Sequence, residues 1–220
     1  MNTSDVFRES VAAWAALNRR AFPWHDTTDP FLILVSEIML RRTRADQVRS
    51  VFVRFREKFP DAASLMAAGE EDVRDLLRPL GLDWRVPAFR RVARALLERH
   101  QGVVPRNEAD LRQLPGVGDY VASAVRAFAF REPSVLVDTN TVRVAARYFG
   151  FSYTAESRRN PAVRSQVGRL FDRARPAESA REVLDLAALV CRARAPLCGQ
   201  CPVRESCHYA STATAALRVA

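Results

Sequence analysis

Four cysteines lie close together near the end of this 220-residue sequence, and they are all the cysteines it has. Cys191, Cys198, Cys201 and Cys207 follow the spacing C-x6-C-x2-C-x5-C, so one short segment carries every thiol of the chain. This spacing can wrap one compact metal site, whereas it is awkward for separate disulfides. The segment therefore predicts a bound metal cluster.

Three other interpretations of the cysteines are weaker. Disulfides suit small secreted domains, whereas residues 1–30 contain no basic-then-apolar signal segment. Zinc usually takes paired C-x2-C or Cys/His knuckles, and only Cys198 and Cys201 form such a pair, although His208 lies beside Cys207. Buried neutral thiols would follow helical periodicity, but most of these lie in a segment that contains Pro and Gly. An iron–sulfur cluster fits the uneven spacing better.

A Gly-x-Gly turn, formed by Gly116, Val117 and Gly118, separates two predicted helices. Such a turn can present backbone N–H groups at the start of the following helix, where the helix dipole also attracts anions. A tight turn without a ligand is the alternative interpretation. The turn is a candidate phosphate site.

The chain is strongly basic, with a formal net charge of +9 and a pI near 10.3. Lys58 is the only lysine, so arginine supplies almost all of the positive charge. Guanidinium groups that bind phosphates release counterions, and this balance favours a polyanionic partner. A basic surface that merely keeps the protein in solution is the alternative. No apolar run approaches the length of a membrane-spanning helix, which argues against membrane insertion.

Apolar residues recur at helical spacing along nearly the whole chain, and strand signals are few. Asp29 and Pro30 supply an N-cap and a first helical position, and Pro60 ends the next helix. We predict an all-α fold without fixed-period repeats. The predicted helices cover residues 5–20, 30–41, 45–59, 70–78, 86–101, 107–113, 119–130, 139–149, 161–175 and 177–191.

Four segments in this order resemble the helix-hairpin-helix DNA glycosylases with an iron–sulfur loop. They are SEIMLRRT at 36–43, LPGVGDYVA at 114–122, VDTNTVRV at 137–144, and the cysteine spacing. The resemblance extends from about Phe22 to Cys207. It is greatest to the Mig-type thymine-mismatch glycosylases, then to the MutY-like adenine glycosylases, and then to endonuclease III.

The resemblance implies two helical domains flanking a DNA-binding cleft. By analogy, residues 24–131 form a six-helix domain with the hairpin, and residues 1–23 with 132–220 form the domain that holds the cluster. A [4Fe-4S] cluster on the four cysteines would position a DNA-binding loop. The implied partner is double-stranded DNA with a mismatched or damaged base, bound by a monomer on the cytoplasmic nucleoid.

Two carboxylates are the expected catalytic groups. Cleavage of the bond between deoxyribose and base has an oxocarbenium-like transition state and needs a carboxylate near the anomeric carbon. Asp138, which follows an apolar segment and precedes a predicted helix, matches the family's essential aspartate. Capping that helix is the alternative role, and the two roles can coexist. Glu37 lies on an apolar helix, where desolvation should raise its pKa and let it protonate the departing base; an ion pair with Arg41 is its alternative.

Tyr120 determines the expected reaction type. Bifunctional relatives place a lysine at this position, and its amine attacks the sugar before strand cleavage. A phenol cannot form that imine, and Lys58 is remote in sequence from every motif. We therefore expect a monofunctional glycosylase that leaves an abasic site. A core aromatic residue is the alternative role for Tyr120.

Extracting a nucleotide from the duplex costs free energy. Side chains that fill the vacated stack offset that cost. Arg42 and Leu82 match the family's two insertion positions, although the first could be a solvated helix end and the second a turn-packing residue. The resemblance also implies DNA contacts by Arg41, by Asn140 and by the hairpin residues 116–118. MutY-like enzymes generally carry glutamines at positions 41 and 42 and a tyrosine at position 82. These differences favour the thymine-mismatch branch.

The expected substrate is thymine opposite guanine, with uracil in the same mismatch. MutY-like enzymes usually continue into a further domain, whereas this chain stops shortly after Cys207, which argues against adenine opposite guanine or 8-oxoguanine. An endonuclease III-like lyase and a non-catalytic DNA-binding module are the remaining alternatives. Asp119 departs from the basic or neutral residue common in related hairpins. Its carboxylate would repel a phosphate.

Overall fold

The structure, a computed structural model, describes residues 2–81 and 86–212. Every regular element within these two ranges is helical, which confirms the all-α prediction. The α-helices are Thr3–Asn18 (α1), Pro30–Met39 (α2), Ala45–Lys58 (α3), Ala62–Ala67 (α4), Glu70–Leu77 (α5), Val86–His100 (α6), Glu108–Gln113 (α7), Asp119–Phe128 (α8), Thr139–Phe149 (α9), Pro161–Gly168 (α10) and Pro176–Leu189 (α11). Short 3-10 turns occupy Pro23–His25, Arg78–Leu80, Ala155–Arg159 and Cys198–Gln200.

The helix α4 is absent from the sequence prediction, and a local cap explains it. The Asp61 carboxylate accepts a hydrogen bond from the Ser64 N–H at 2.7 Å, and the Ser64 hydroxyl accepts one from the Asp61 N–H at 3.2 Å. Hydrogen bonds from the Ser64 backbone and side chain to the carboxylate hold the pKa of Asp61 below its usual value. The Asp-x-x-Ser signal of this capping box follows Pro60 directly and is readable in the sequence.

The predicted helix 161–175 is wrong beyond residue 168. The Asp172 carboxylate accepts a hydrogen bond from the Ala174 N–H at 2.9 Å, which fixes a local turn and lowers the pKa of Asp172. Pro176 then begins α11 at the first helical position, where proline is favoured. Two competing local signals thus divide one long periodic segment.

The chain divides into two compact units, Ala21–Arg131 and Met1–Arg20 with Glu132–Ala220. The domains expected from the sequence are residues 24–131 and residues 1–23 with 132–220. In Ala21–Arg131, α2 packs against α3 and α8, α4 packs against α6, and α7 packs against α8. The largest fully buried side chains of this unit include Phe52, Phe55, Phe89, Leu65, Leu76 and Leu96.

In the other unit, α11 packs against α1 and α9. The ring of Phe7 meets the edge of Tyr148 with centroids 4.8 Å apart, and the Tyr148 hydroxyl donates to the Thr3 carbonyl at 2.9 Å. Asp185, whose side chain is 3% exposed, forms an ion pair with Arg20 at 2.6 Å. The N-terminal helix is thereby fixed to the C-terminal half of the chain. None of the helices in the described ranges is long and apolar enough to cross a membrane.

Candidate active site and cysteine cavity

Asp138 lies at the N-cap of α9, with extended backbone. Its Oδ1 accepts hydrogen bonds from the backbone N–H groups of Asn140 at 2.9 Å and Thr141 at 2.8 Å. The Asp138 N–H donates in return to the Thr141 hydroxyl at 3.0 Å, which completes a capping box. The capping role considered for Asp138 is therefore present in the structure.

The second oxygen of the Asp138 carboxylate is also held. Oδ2 accepts a hydrogen bond from the Asn140 side-chain amide at 2.7 Å. Three N–H donors therefore face one half-buried carboxylate. Hydrogen bonds of this kind fix the orientation of the carboxylate. The arrangement provides a fixed negative charge that can stabilise a cationic centre or accept a proton from water.

Arg143 connects this carboxylate to the cysteine segment. Its Nη1 donates to the Asn140 side-chain oxygen at 2.9 Å, its Nε to the Cys191 carbonyl at 2.9 Å, and its Nη2 to the Ala187 carbonyl at 3.0 Å. The residue is 6% exposed. Sequence reasoning missed Arg143, although a charged residue within an apolar helical face is the signal that could have found it.

The four cysteines line one cavity that is partly open to solvent. All four are free thiols. Burial raises the pKa of Cys201 to about 11, and repulsion from the other three cysteines adds to the shift. Burial raises the pKa of Cys207 as well. Soft sulfur donors around a single cavity suit a thiolate-bound iron–sulfur group.

Across residues 2–81 and 86–212, no three or more His, Cys, Asp and Glu side chains form a group that could hold a metal ion, and this includes the four cysteines. His208, considered as a zinc ligand, packs on Gly150. A Cβ atom added at Gly150 would lie 2.6 Å from the His208 ring. The cavity lining includes the four cysteines and excludes His208.

Arg147 fixes the chain around the cavity. Its guanidinium donates to the carbonyls of Arg192 at 2.7 Å and Ala193 at 3.1 Å, and it lies 3.5 Å from the Cys191 sulfur. The same group lies over the Tyr209 ring, 4.9 Å from its centroid. One cation thus holds both ends of the cysteine segment.

In the other unit, Glu37 is 6% exposed on the apolar helix α2. The predicted N-cap is present, because the Asp29 carboxylate accepts the Leu32 N–H at 2.9 Å and Pro30 occupies the first position. The helix ends at Met39, two residues before the predicted end. Glu37 is thus buried on an apolar helix, and its role in the reaction stays a prediction.

The turn after α2 contains both arginines that were expected to contact DNA. Arg42 is exposed and adopts a left-handed backbone with φ 58°, which is uncommon for a residue with a side chain. Arg41 donates from Nη1 to the Gly116 carbonyl at 2.9 Å. The arginine turn is thereby tied to the hairpin. Leu82, the other expected insertion residue, lies outside the described residues.

The hairpin between α7 and α8 contains two glycines with different requirements. Gly116 has φ +79°, a left-handed conformation that favours glycine. Gly118 has φ −100°, and a Cβ atom added there would meet nothing within 4 Å. Neither backbone nor packing therefore requires glycine at 118. Val117 between them is 6% exposed.

Tyr120 is half-buried in the first turn of α8, two residues after Gly118. Gly118 is the N-cap of this helix and has no side chain that could cap its first N–H groups. The N-terminus of α8 carries the partial positive charge of the helix dipole, which attracts anions.

Known proteins match this chain over most of its length. The model of the HhH-GPD superfamily of base excision DNA repair proteins matches residues 35–164. A thymine-DNA glycosylase of Aeropyrum pernix is 37% identical over 93% of this chain and 94% of that protein. A thymine/uracil-DNA glycosylase of Methanothermobacter thermautotrophicus is 32% identical over 93% of each.

The solved structure of a thermostable thymine-DNA glycosylase superposes with a TM-score of 0.88 at 30% identity, covering 96% of this chain and 97% of that one. The family match, the identities and the shared fold lead to one assignment. The chain belongs to the HhH-GPD superfamily of base excision DNA repair proteins.

Proposed function

We propose that this protein is a monofunctional DNA glycosylase that hydrolyses the N-glycosidic bond of thymine, or uracil, mispaired with guanine in duplex DNA. The observation that carries the proposal is the Asp138 carboxylate, held by three N–H donors at the start of α9. The similarity to thymine-DNA and thymine/uracil-DNA glycosylases supports the choice of base.

Asp138 would act on the sugar. Its fixed negative charge stabilises the oxocarbenium character that develops at the anomeric carbon, and it can accept the proton of the attacking water. The Asn140 amide keeps Oδ2 in place, and Arg143 in turn fixes the Asn140 side chain. Asn140 thereby has a positioning role beside the DNA contact expected from the sequence.

Glu37 would act on the departing base. A base leaves more readily when an acid donates a proton to it. The burial of Glu37 on the largely apolar helix α2 supports this role. The two carboxylates then have complementary roles, one at the sugar and one at the base.

The side-chain amines of the sequence support a reaction without a lyase step. An imine intermediate needs a side-chain amine at the sugar. Tyr120 occupies the position after the hairpin, and the only lysine, Lys58, lies in the last turn of α3. We propose that the product is an intact strand with an abasic site, and that strand cleavage requires alkali.

DNA binding by the hairpin is supported by Gly118. A glycine that neither φ nor packing requires indicates close approach by something outside the chain. A phosphate at the start of α8 satisfies that requirement. Arg42 at the exposed left-handed turn would fill the space vacated by the extracted nucleotide, because strained backbone is retained at functional positions.

We also propose a [4Fe-4S] cluster on Cys191, Cys198, Cys201 and Cys207. Four free thiols around one cavity fit its ligand set. The bound group would cross-link the cysteine segment and so fix the loop that follows α11. We also propose, as expected from the resemblance, a monomer that acts on the cytoplasmic nucleoid.

The proposed substrate is tested by incubating labelled duplexes that contain T:G, U:G, A:G or A:8-oxoguanine with the purified protein. We expect strand breaks at T:G and U:G, and only after alkali, because hydrolysis leaves an abasic site. Breaks at the adenine mispairs would favour the adenine glycosylase alternative. Breaks without alkali, or a covalent adduct trapped by borohydride, would contradict a monofunctional reaction. No base release from any duplex would favour the non-catalytic module.

The phosphate contact is tested by Gly118→Asn. Asparagine is a better N-cap than glycine, so the free energy of unfolding should stay the same or rise by a few tenths of a kcal/mol. The new side chain would occupy the N–H groups that a phosphate needs. We therefore expect affinity for duplex DNA to fall about tenfold in a binding titration, while urea unfolding shows no loss of stability. Unchanged affinity would exclude the hairpin contact.

The cofactor is tested by metal and sulfide analysis of the purified protein. We expect about four irons and four sulfides per chain, because four thiolates bind such a cluster. Cys201→Ser should lower the iron content, whereas His208→Ala is the matched control and should leave it unchanged. One zinc per chain, especially if lost in His208→Ala, would refute the iron–sulfur assignment.

A further inference from the structure

An ion pair spans the hairpin directly beside the proposed phosphate contact. Asp119 is the first residue of α8, and its Oδ1 lies 2.9 Å from Nη2 of Arg112 in the last turn of α7. The two side chains are 44% and 54% exposed, respectively. An ion pair this exposed contributes little to folding stability. Folding stability therefore does not account for the presence of this ion pair beside the hairpin.

The position of Asp119 sets its electrostatic effect. The first turn of a helix attracts anions, through its N–H groups and through the helix dipole. A carboxylate in that turn satisfies part of this attraction and repels a phosphate that approaches Gly118. The same carboxylate also neutralises Arg112, which is the cation of the hairpin on the α7 side.

We infer that Asp119 is a built-in competing anion that weakens the hairpin's affinity for DNA phosphates. It screens the start of α8 and holds Arg112 in an internal pair until a phosphate displaces it. The inference rests on the proposed phosphate contact at Gly118. Its consequence is an affinity limit, because a protein with net charge +9 would otherwise bind any duplex more tightly.

A second ion pair between the same two helices supplies a matched control. Nη1 of Arg126 lies 2.9 Å from the Glu108 carboxylate. Arg126 lies in the last turn of α8, seven residues after Asp119, which is about 10 Å along a helix. Glu108 itself begins α7, four residues or about 6 Å before Arg112. The Glu108 pair joins α7 to the last turn of α8, at the end of that helix far from Gly118, so Glu108→Gln controls for the change in net charge.

The experiment compares Asp119→Asn with Glu108→Gln, since each raises the net charge by one. Affinity for a short undamaged duplex is measured by fluorescence anisotropy at several salt concentrations. We expect Asp119→Asn to bind about fivefold more tightly near physiological salt, because one local repulsion is removed. Arg112 then becomes free to bind a phosphate. The slope of log affinity against log salt concentration should therefore become steeper by about 0.9. Glu108→Gln should change affinity less than about twofold.

The double variant Asp119→Asn with Arg112→Gln should return the salt slope to that of the parent protein, because the released cation is removed. If Glu108→Gln raised the affinity for the duplex as much as Asp119→Asn does, net charge alone would explain the effect. That result would overturn the inference. Unchanged or weaker binding by Asp119→Asn, with thermal unfolding confirming a folded protein, would also overturn it. Gly118→Asn separates the two proposals: if it weakens binding while Asp119→Asn has no effect, only the competing-anion inference fails.

Discussion

The structure around the proposed reaction depends on one carboxylate that must remain charged and fixed. Asp138 accepts three hydrogen bonds, and two of them also close the first turn of α9. Capping and catalysis make the same demand on the side chain, since both need an ionised oxygen held near the N-terminus of a helix. The Asn140 and Arg143 side chains extend this arrangement to the Cys191 carbonyl. The Asp138 carboxylate and a residue that lines the cysteine cavity, Cys191, therefore share one hydrogen-bond network.

Much of the fold could be predicted because local signals agree with tertiary packing. The Asp29 cap, Pro30 and the apolar periodicity of α2 all indicate the same helix, and the structure contains it. Prediction failed where one short local signal stands alone and where two local signals compete. The capping box of Asp61 creates α4, and the turn at Asp172 ends a segment whose periodicity alone continues. The all-α class and the family are confirmed. Both could be predicted because the motifs that identify them are short and contiguous.

Contacts between residues distant in sequence could not be predicted in the same way. The bond from Arg41 to the Gly116 carbonyl joins two motifs that the sequence shows only separately. Arg143 is a buried cation that donates to the carbonyls of Ala187, near the end of α11, and of Cys191, just after it. Both carbonyls are distant from Arg143 in sequence. The sequence marked Asp119 as repulsive to phosphate, but only the structure supplies Arg112 as its partner. The roles of Glu37, Tyr120 and Asp138 in the reaction stay predictions.

The most direct test of the central claim is base release by Asp138→Asn, measured on a T:G duplex under single-turnover conditions. Asparagine retains the oxygen that accepts both N–H groups and is an equally good cap, so stability should fall by less than about 1 kcal/mol. The charge is lost, and we predict a rate at least about 100-fold lower. Asp61→Asn, which changes the cap of α4, should keep the parent rate. Base release by Asp138→Asn at the parent rate would contradict the account.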